Sequence, residues 1–411
     1  MFRTTLLRSR TPRRLAAAVC LSLATLLAGA APAAGCSWDY PIWIQRNRDA
    51  APLYRFIRDG KAGYIDREGR VVIEPQFDGD SNYAGAFHDG LMEVGVSSGE
   101  YVDVTGKTVI KDELYRGWQF SDGLAAALKE DGGKWGYIDP TGKFAISPRF
   151  QGYPGGYVSP FSEGRAWIEV AGRYGFIDKT GEFVVRPVFL HAESFRDGMA
   201  RVVVEGPCGY SGDGPCPDFR HLGGPARPGR KVPPCKFTFV DGSGSVLKAR
   251  FEAAKHFSEG TAPVKLGGKW GYADKSGRLV IEPQFDEAWP FSGGLARVRQ
   301  GELTGLFGYI DAQGKYVVPP RFNYADDFSE GLAAVGDREY ADEPGNLYYI
   351  DGHGRTVIKG PFALASHFFK GLAHVKLRRS GKGEVDRRAG RFAYIDAEGK
   401  TVFAYEVESN Y

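Results

Sequence analysis

Gly133-Lys134-Trp135-Gly136-Tyr137-Ile138-Asp139-Pro140-Thr141-Gly142-Lys143 returns almost letter for letter as Gly268-Lys269-Trp270-Gly271-Tyr272-Ala273-Asp274-Lys275-Ser276-Gly277-Arg278. Aligned on the aspartate, weaker copies stand at Asp66, Asp103, Asp178, Asp241, Asp311, Asp351 and Asp396, and all nine aspartates, Asp139 and Asp274 included, follow one another at spacings of 37, 36, 39, 63, 33, 37, 40 and 45 residues. Nine copies make an array, and self-similarity at this period is the mark of a repeat architecture. Every copy has glycine three residues after the aspartate, as at Gly142 and Gly277. A tight turn explains the pair: the aspartate side chain caps the turn's own amides, and glycine takes the positive φ that other residues resist. Tyr-Ile-Asp-x-x-Gly-Lys therefore predicts a strand, a short turn and a returning strand.

The returning strand, such as Val71-Val72-Ile73 or Leu279-Val280-Ile281, meets proline nine residues after the aspartate at Pro75, Pro148, Pro187, Pro283 and Pro320. Proline cannot donate to a ladder, so the strand is expected to end there or to lie at an edge. A repeat-locked aromatic follows two residues later (Phe150, Phe285 and Phe322 among them) and is expected in the core. Then comes a polar bend of the type Phe-Ser-Asp/Glu-Gly, as at Phe120 to Gly123 and Phe328 to Gly331, where single helical turns are expected. A third strand begins at once, so one unit is three short strands and a bend.

These residues resemble the WG-repeat family of bacterial exported proteins, whose signature is Lys-Trp-Gly-Tyr-Ile-Asp-x-x-Gly-Lys followed by Val-Ile-x-Pro-x-Phe/Tyr and Phe-Ser-x-Gly-Leu-Ala-x-Val. The resemblance covers about Tyr54 to Tyr405. It is strict at Gly63, Gly136, Gly175, Gly271 and Gly308, whereas Glu100, Thr238, Tyr348 and Ala393 replace the Trp-Gly glycine in the other copies. The fold expected is all-β: a tandem array of about nine three-stranded units over 54–411, elongated or superhelical, with a closed propeller-like ring as the alternative. Array ends need caps, because a bare terminal unit shows apolar surface and unpaired strand edges to water. Residues 34–53 are the candidate N-terminal leader and cap.

Residues 1–33 read as an export signal, with five arginines (Arg3, Arg8, Arg10, Arg13, Arg14) ahead of the apolar run Leu15 to Leu27. That run is shorter than the ~20 residues a membrane-spanning helix needs. Cleavage after Ala31-Pro32-Ala33 would release a soluble protein; Ala33-Ala34-Gly35-Cys36 instead resembles a lipobox, with lipid on Cys36. The array is thus expected in the periplasm or at the outer membrane, or secreted, and a lipid anchor at Cys36 is the one membrane contact foreseen. Removing five arginines and no acid takes the formal charge from +3 to −2, which argues against nucleic acid. Cys208, Cys216 and Cys235 share one Gly/Pro-rich insertion, 205–236, and a disulfide between two of them is expected in an oxidising compartment. If Cys36 is lipidated one insertion cysteine is left over, and if not, two bridges are open.

Catalytic signatures are missing. Gly99 to Thr108 ends in Gly106-Lys107-Thr108, but Tyr101 stands in the segment and it reads as a repeat turn rather than a phosphate loop. The seven histidines are scattered, mostly in bends expected to be solvated. One carboxylate per turn falls short of the six to eight oxygens calcium takes. No catalytic residue, metal or cofactor is expected. What varies is the connection before the Trp-Gly strand, which carries the insertions 205–236, 299–306, 337–346 and 378–391. In a repeat array such insertions share one side, often the binding side. The last is strongly basic, with Lys376, Arg378, Arg379, Lys382, Arg387, Arg388 and Arg391 against Glu384 and Asp386. The function expected is a non-enzymatic scaffold that binds a protein or peptide of the cell envelope through these loops. A glycan or cell-wall module is the alternative, and an enzyme with its site in the loops comes third.

Overall fold

In a computed structural model, the described residues are 52–79, 86–94, 99–111, 114–151, 158–206, 235–301, 305–336, 346–378 and 389–408. They form antiparallel sheets and turns, with no helix among them. Residues 1–33, expected to be an export signal, all of the expected leader except Pro52 and Leu53, and Cys36, Cys208 and Cys216 lie outside them.

The unit on Asp274 shows the plan: a short first strand Ala253–Ala254, a second strand Thr261–Leu266, the Trp-Gly strand Lys269–Asp274 and an outer strand Leu279–Phe285, hydrogen-bonded in that order. The second and Trp-Gly strands are buried on both faces, while the outer strand alternates, burying Ile281 and Phe285 and exposing Val280 and Glu282. The same order recurs around Asp139 and Asp311, and the units on Asp351 and Asp396 share one seven-stranded sheet. Thr356–Ala365 serves both of those units, pairing first with Tyr349 and Ile350 and then, beyond Phe362, with Val375 and Lys376.

The outer strand does not stop at its proline. In the Asp139 unit, Tyr137 pairs with Ile146 and Trp135 with Phe150, so the one residue between them on the Trp-Gly strand faces three on the outer strand. The surplus residues arch over Gly136, where a Cβ would lie 2.5 Å from the Ile146 carbonyl oxygen and 2.8 Å from the Pro148 nitrogen. Proline suits the arch because its missing N–H is not needed there. The strand is an edge, as expected, but it continues to the core aromatic: Phe150, Phe285 and Phe322 are buried.

The Phe-Ser-Asp/Glu-Gly bends are hairpin turns rather than helical turns. Ser121 and Leu124 exchange both backbone hydrogen bonds, while Asp122 and Gly123 take φ of 55° and 80°, the two left-handed residues of a type I′ turn. That turn matches strand twist and returns the chain at once, which a helical turn would not.

Neighbouring units are joined by recurring contacts. The Tyr137 ring packs edge-on against Phe161 at 4.8 Å and its hydroxyl donates to the Ser159 carbonyl at 2.8 Å; Tyr309 does the same with Phe328 and Asp326. The turn of each unit rests on the outer strand of the one before, Gly142 on Ile110 and Gly314 on Ile281. Consecutive bends are stapled too. Ser292 Oγ donates to the Phe328 carbonyl at 2.6 Å, and Asp122 accepts from the Gly164 N–H at 2.7 Å.

A related joint links the ninth unit to the first, made on the strand Tyr54–Arg58 rather than on a bend. Tyr394 packs on Tyr54 at 5.4 Å and donates to the Arg55 carbonyl at 2.6 Å; Gly69 rests on Val402; Tyr54 donates to the Lys370 carbonyl at 2.8 Å; Phe56 meets Phe403 and Tyr405 edge-on. Of the two forms the sequence left open, this contact selects the closed ring over the elongated array. Each terminal unit covers part of the other; the cap read for residues 34–53 lies, apart from Pro52 and Leu53, outside the described residues.

Candidate binding face

In an up-and-down meander, alternate connections lie on opposite sides. The bends and Asp turns therefore share one side of the ring, and the connections between second and Trp-Gly strands share the other. The turn side is regular. Asp139 accepts from the Thr141 and Lys143 N–H groups and from the Thr141 hydroxyl, at 2.8, 3.3 and 2.6 Å. The hydroxyl bond, more than the backbone amides, holds this carboxyl below its usual range, as Ser276 does for Asp274. Asp139, Gly142, Asp274 and Gly277 thus occupy the structural turn positions read from the sequence.

The other side is where the units differ. The insertions join Met199–Glu205 to Lys236–Asp241, Ala296–Gln300 to Leu306–Ile310, Leu332–Gly336 to Leu347–Asp351 and Ala373–Leu377 to Gly390–Ile395, in each case second strand to Trp-Gly strand. Their central residues, with Arg379, Lys382, Arg387 and Arg388, lie outside the described set. At the flanks of the basic loop, Arg378 and Arg391 are exposed; Lys376 is buried, its ammonium 5.2 Å from the Phe392 ring centroid. Arg378 donates to the Asn346 side-chain oxygen, tying this flank to the end of the neighbouring insertion.

Beside Asn346 a cleft of about 520 Å³ opens between the seventh and eighth units. Arg321, Asn323, Tyr348 and Lys359 reach it, and among the described residues no carboxylate lines it. Arg321 is fixed in place, its guanidinium 4.9 Å from the Phe322 ring centroid and donating to the Gly354 carbonyl at 2.5 Å. Sequence reasoning passed over Arg321 and Lys359 because both stand in outer strands far from any insertion; the unit-by-unit alignment alone gave no sign that the fold sets them beside Asn346.

A second group of charges lies within the joints. Arg201 pairs with Glu193 and donates to the Ala254 carbonyl; Arg297 sits 3.2 Å from Asp327 and donates to the Ala325 carbonyl. The Trp289 ring lies between two cations, Lys255 at 4.1 Å and Arg297 at 4.3 Å. Burial pushes the Asp327 carboxyl up against the pull of Arg297; it also raises Glu193, but there the Arg201 guanidinium prevails and the carboxyl stays low. These groups tie one unit to the next. Four histidines join them, contrary to the solvated bends expected: His88, His191, His256 and His374 are partly buried, and desolvation holds each ring below its ordinary pKa, His191 and His374 at about 4 and His256 at about 3.

The family model of the WG containing repeat matches residues 63–94, 135–174, 174–206, 237–270, 270–303 and 307–336. The chain is a WG-repeat protein. The second unit and the last two, outside these matches, keep the Asp-x-x-Gly turn and have lost the Trp-Gly glycine. No curated protein matches the sequence. Among solved structures, one titled the eukaryotic initiation factor is similar at a TM-score of 0.56 and 10% identity, over 87% of this chain and 96% of that one. The computationally designed Ika8 protein (TM-score 0.38, 12% identity, 81% of this chain and 95% of that one) and BamB from Moraxella catarrhalis (0.35, 12%, 69% and 90%) are more distant. Identity this low carries fold alone. Among the described residues of the WG-repeat protein, no helix is long and apolar enough to cross a membrane.

Proposed function

We propose that this WG-repeat protein is an exported, non-enzymatic scaffold whose ring holds a protein or peptide partner of the cell envelope on its loop-bearing side. One observation carries the reading: the four long insertions all leave the ring at the same connection, opposite the side where bends and turns are stapled in register. Positions packed between two neighbours cannot vary freely, so variation collects where the chain is released from packing. The arginine-led apolar run at the N-terminus supports export. So does the cysteine content of one insertion, where Cys208, Cys216 and Cys235 stand together and two of them are proposed to be bridged. The test shortens each insertion to a tight turn, confirms by melting that the ring folds, and compares recovery of envelope proteins with the parent. Loss of a partner in at least one variant is expected. Equal recovery by all four would overturn the reading, and retention of the parent on purified peptidoglycan would favour the glycan alternative.

A further inference from the structure

The ring has a second cleft with which the one beside Asn346 can be compared. Between the third and fourth units, a space of about 570 Å³ is lined by Arg149, Phe150, Glu169 and Glu182, among others. Arg149 stands at the repeat position of Arg321. It lies 5.3 Å from the Phe150 ring centroid and donates to the Gly181 carbonyl at 2.5 Å, as Arg321 does to Gly354. There the cation is answered within the chain: Arg149 sits 3.3 Å from Glu182, and Glu169 adds a second carboxylate to the lining. By strand register and turn alignment, Gly336 replaces Glu169 and Arg355 replaces Glu182 in the cleft between the seventh and eighth units. Arg355 is turned to its own Asp351 at 2.7 Å. The same fold position therefore holds one cleft in which two carboxylates face a single arginine and another that is cationic among the described residues, with Lys359 exposed in it and Arg378 bonded at its rim.

From this contrast we infer that the cleft of Arg321, Lys359 and Arg378 binds an extended acidic segment of a partner protein. The inference deepens the scaffold reading and rests on it. Three features fit a peptide. The Arg321 guanidinium is held in one orientation, which suits bidentate pairing with a carboxylate. Asn323 offers an amide to a peptide backbone, and the Tyr348 ring gives an apolar wall. Thr356 and Ile358 pair inward with Ile350 and Tyr349, and among the described residues no strand covers their other edge, so an extended chain can be added there.

The probe is a fluorescent oligoglutamate peptide titrated into the full mature chain. The comparison is a Lys359→Glu, Arg378→Glu double variant, whose sites are exposed and whose melting is checked against the parent. Parent binding that weakens as salt rises, with affinity lowered about tenfold or more in the double variant, is the expected result. A double variant that binds as tightly as the parent overturns the inference, as does a parent that takes inorganic polyphosphate but not the peptide. If the peptide fails to bind while shortened insertions still lose their partner, the acidic-segment inference falls and the scaffold reading stands. If the peptide binds but all shortened variants recover partners equally, the loop-bearing side falls as the working surface while the cleft survives.

Discussion

Gly271 shows how a single side chain is excluded. A Cβ there would stand 2.4 Å from the Ile281 carbonyl oxygen and 2.7 Å from the Pro283 nitrogen, both backbone atoms that cannot swing aside. The five units with glycine at this position, Gly63, Gly136, Gly175, Gly271 and Gly308, are also the five with proline nine residues past the aspartate. Glycine and proline are two halves of one bulge, the first giving way to the arch that the second stiffens. Where the glycine is gone the arch is altered: Ala393 pairs in even register with Ala404, and the Asp351 unit moves its glycine to the opposing strand, at Gly360. Gly271→Ala is accordingly expected to cost about 2 kcal/mol, as overpacking does, and Gly242→Ala, with nothing near its Cβ, less than about 0.5 kcal/mol. Denaturant midpoints of the two variants check this, and equal midpoints would remove the close approach as the reason for the glycine.

At the scale of the element, the Asp turn couples folding to pH. Backbone and side-chain bonds from Arg355 hold the Asp351 carboxyl at about 2, and the hydroxyls of Thr141 and Ser276 lower Asp139 and Asp274. A carboxylate lowered in the folded state contributes stability that is fully present above its ordinary value of 3.8 and is lost as pH falls through its folded value. Melting temperature should therefore drop between pH 4 and pH 2, and Asp139→Asn should flatten part of that drop while lowering the melting temperature at neutral pH. An unchanged acid profile in the variant would deny the turn its part. These carboxylates are partly open to solvent, so the effect is read as a change of slope rather than as a large loss per residue.

At the scale of the whole molecule, the seam between the ninth and first units is the joint that no chain connection reinforces. His374 is built into it, 2.9 Å from the Tyr405 hydroxyl and stacked against the Phe392 and Tyr405 rings, with Arg55 and Tyr394 also facing it. Desolvation first, and then Arg55, lowers its pKa from 6.5 to about 4. The neutral ring's contribution is intact above 6.5 and lost as pH falls through about 4, a window that opens above that of the carboxylates. His374→Phe should keep the seam closed at neutral pH and reduce the loss of stability between those values; a profile matching the parent would place the titration elsewhere, with His191 and His256 the next groups to replace.

The repeat, its turn and its core were legible in the sequence because their causes are local. Asp139 and Gly142 close a turn from within four residues, and the alternation that buries Ile281 and Phe285 and exposes Val280 is written in adjacent letters. The common connection of the insertions was readable for the same reason: it needs a count of positions along the chain and no distances. Closure was not readable, since nine similar joints can continue along a line or return on themselves. The choice depends on a small rotation accumulated over every joint, and only the meeting of Tyr394 with Tyr54 and of Val402 with Gly69 fixes it. The cationic cleft belongs to the same class. Arg321 and Lys359 come from outer strands of two units and Arg378 from the loop flank of a third, and the positions where the carboxylates of the other cleft are replaced are Gly336 and Arg355, residues whose meaning appears only when the units stand side by side.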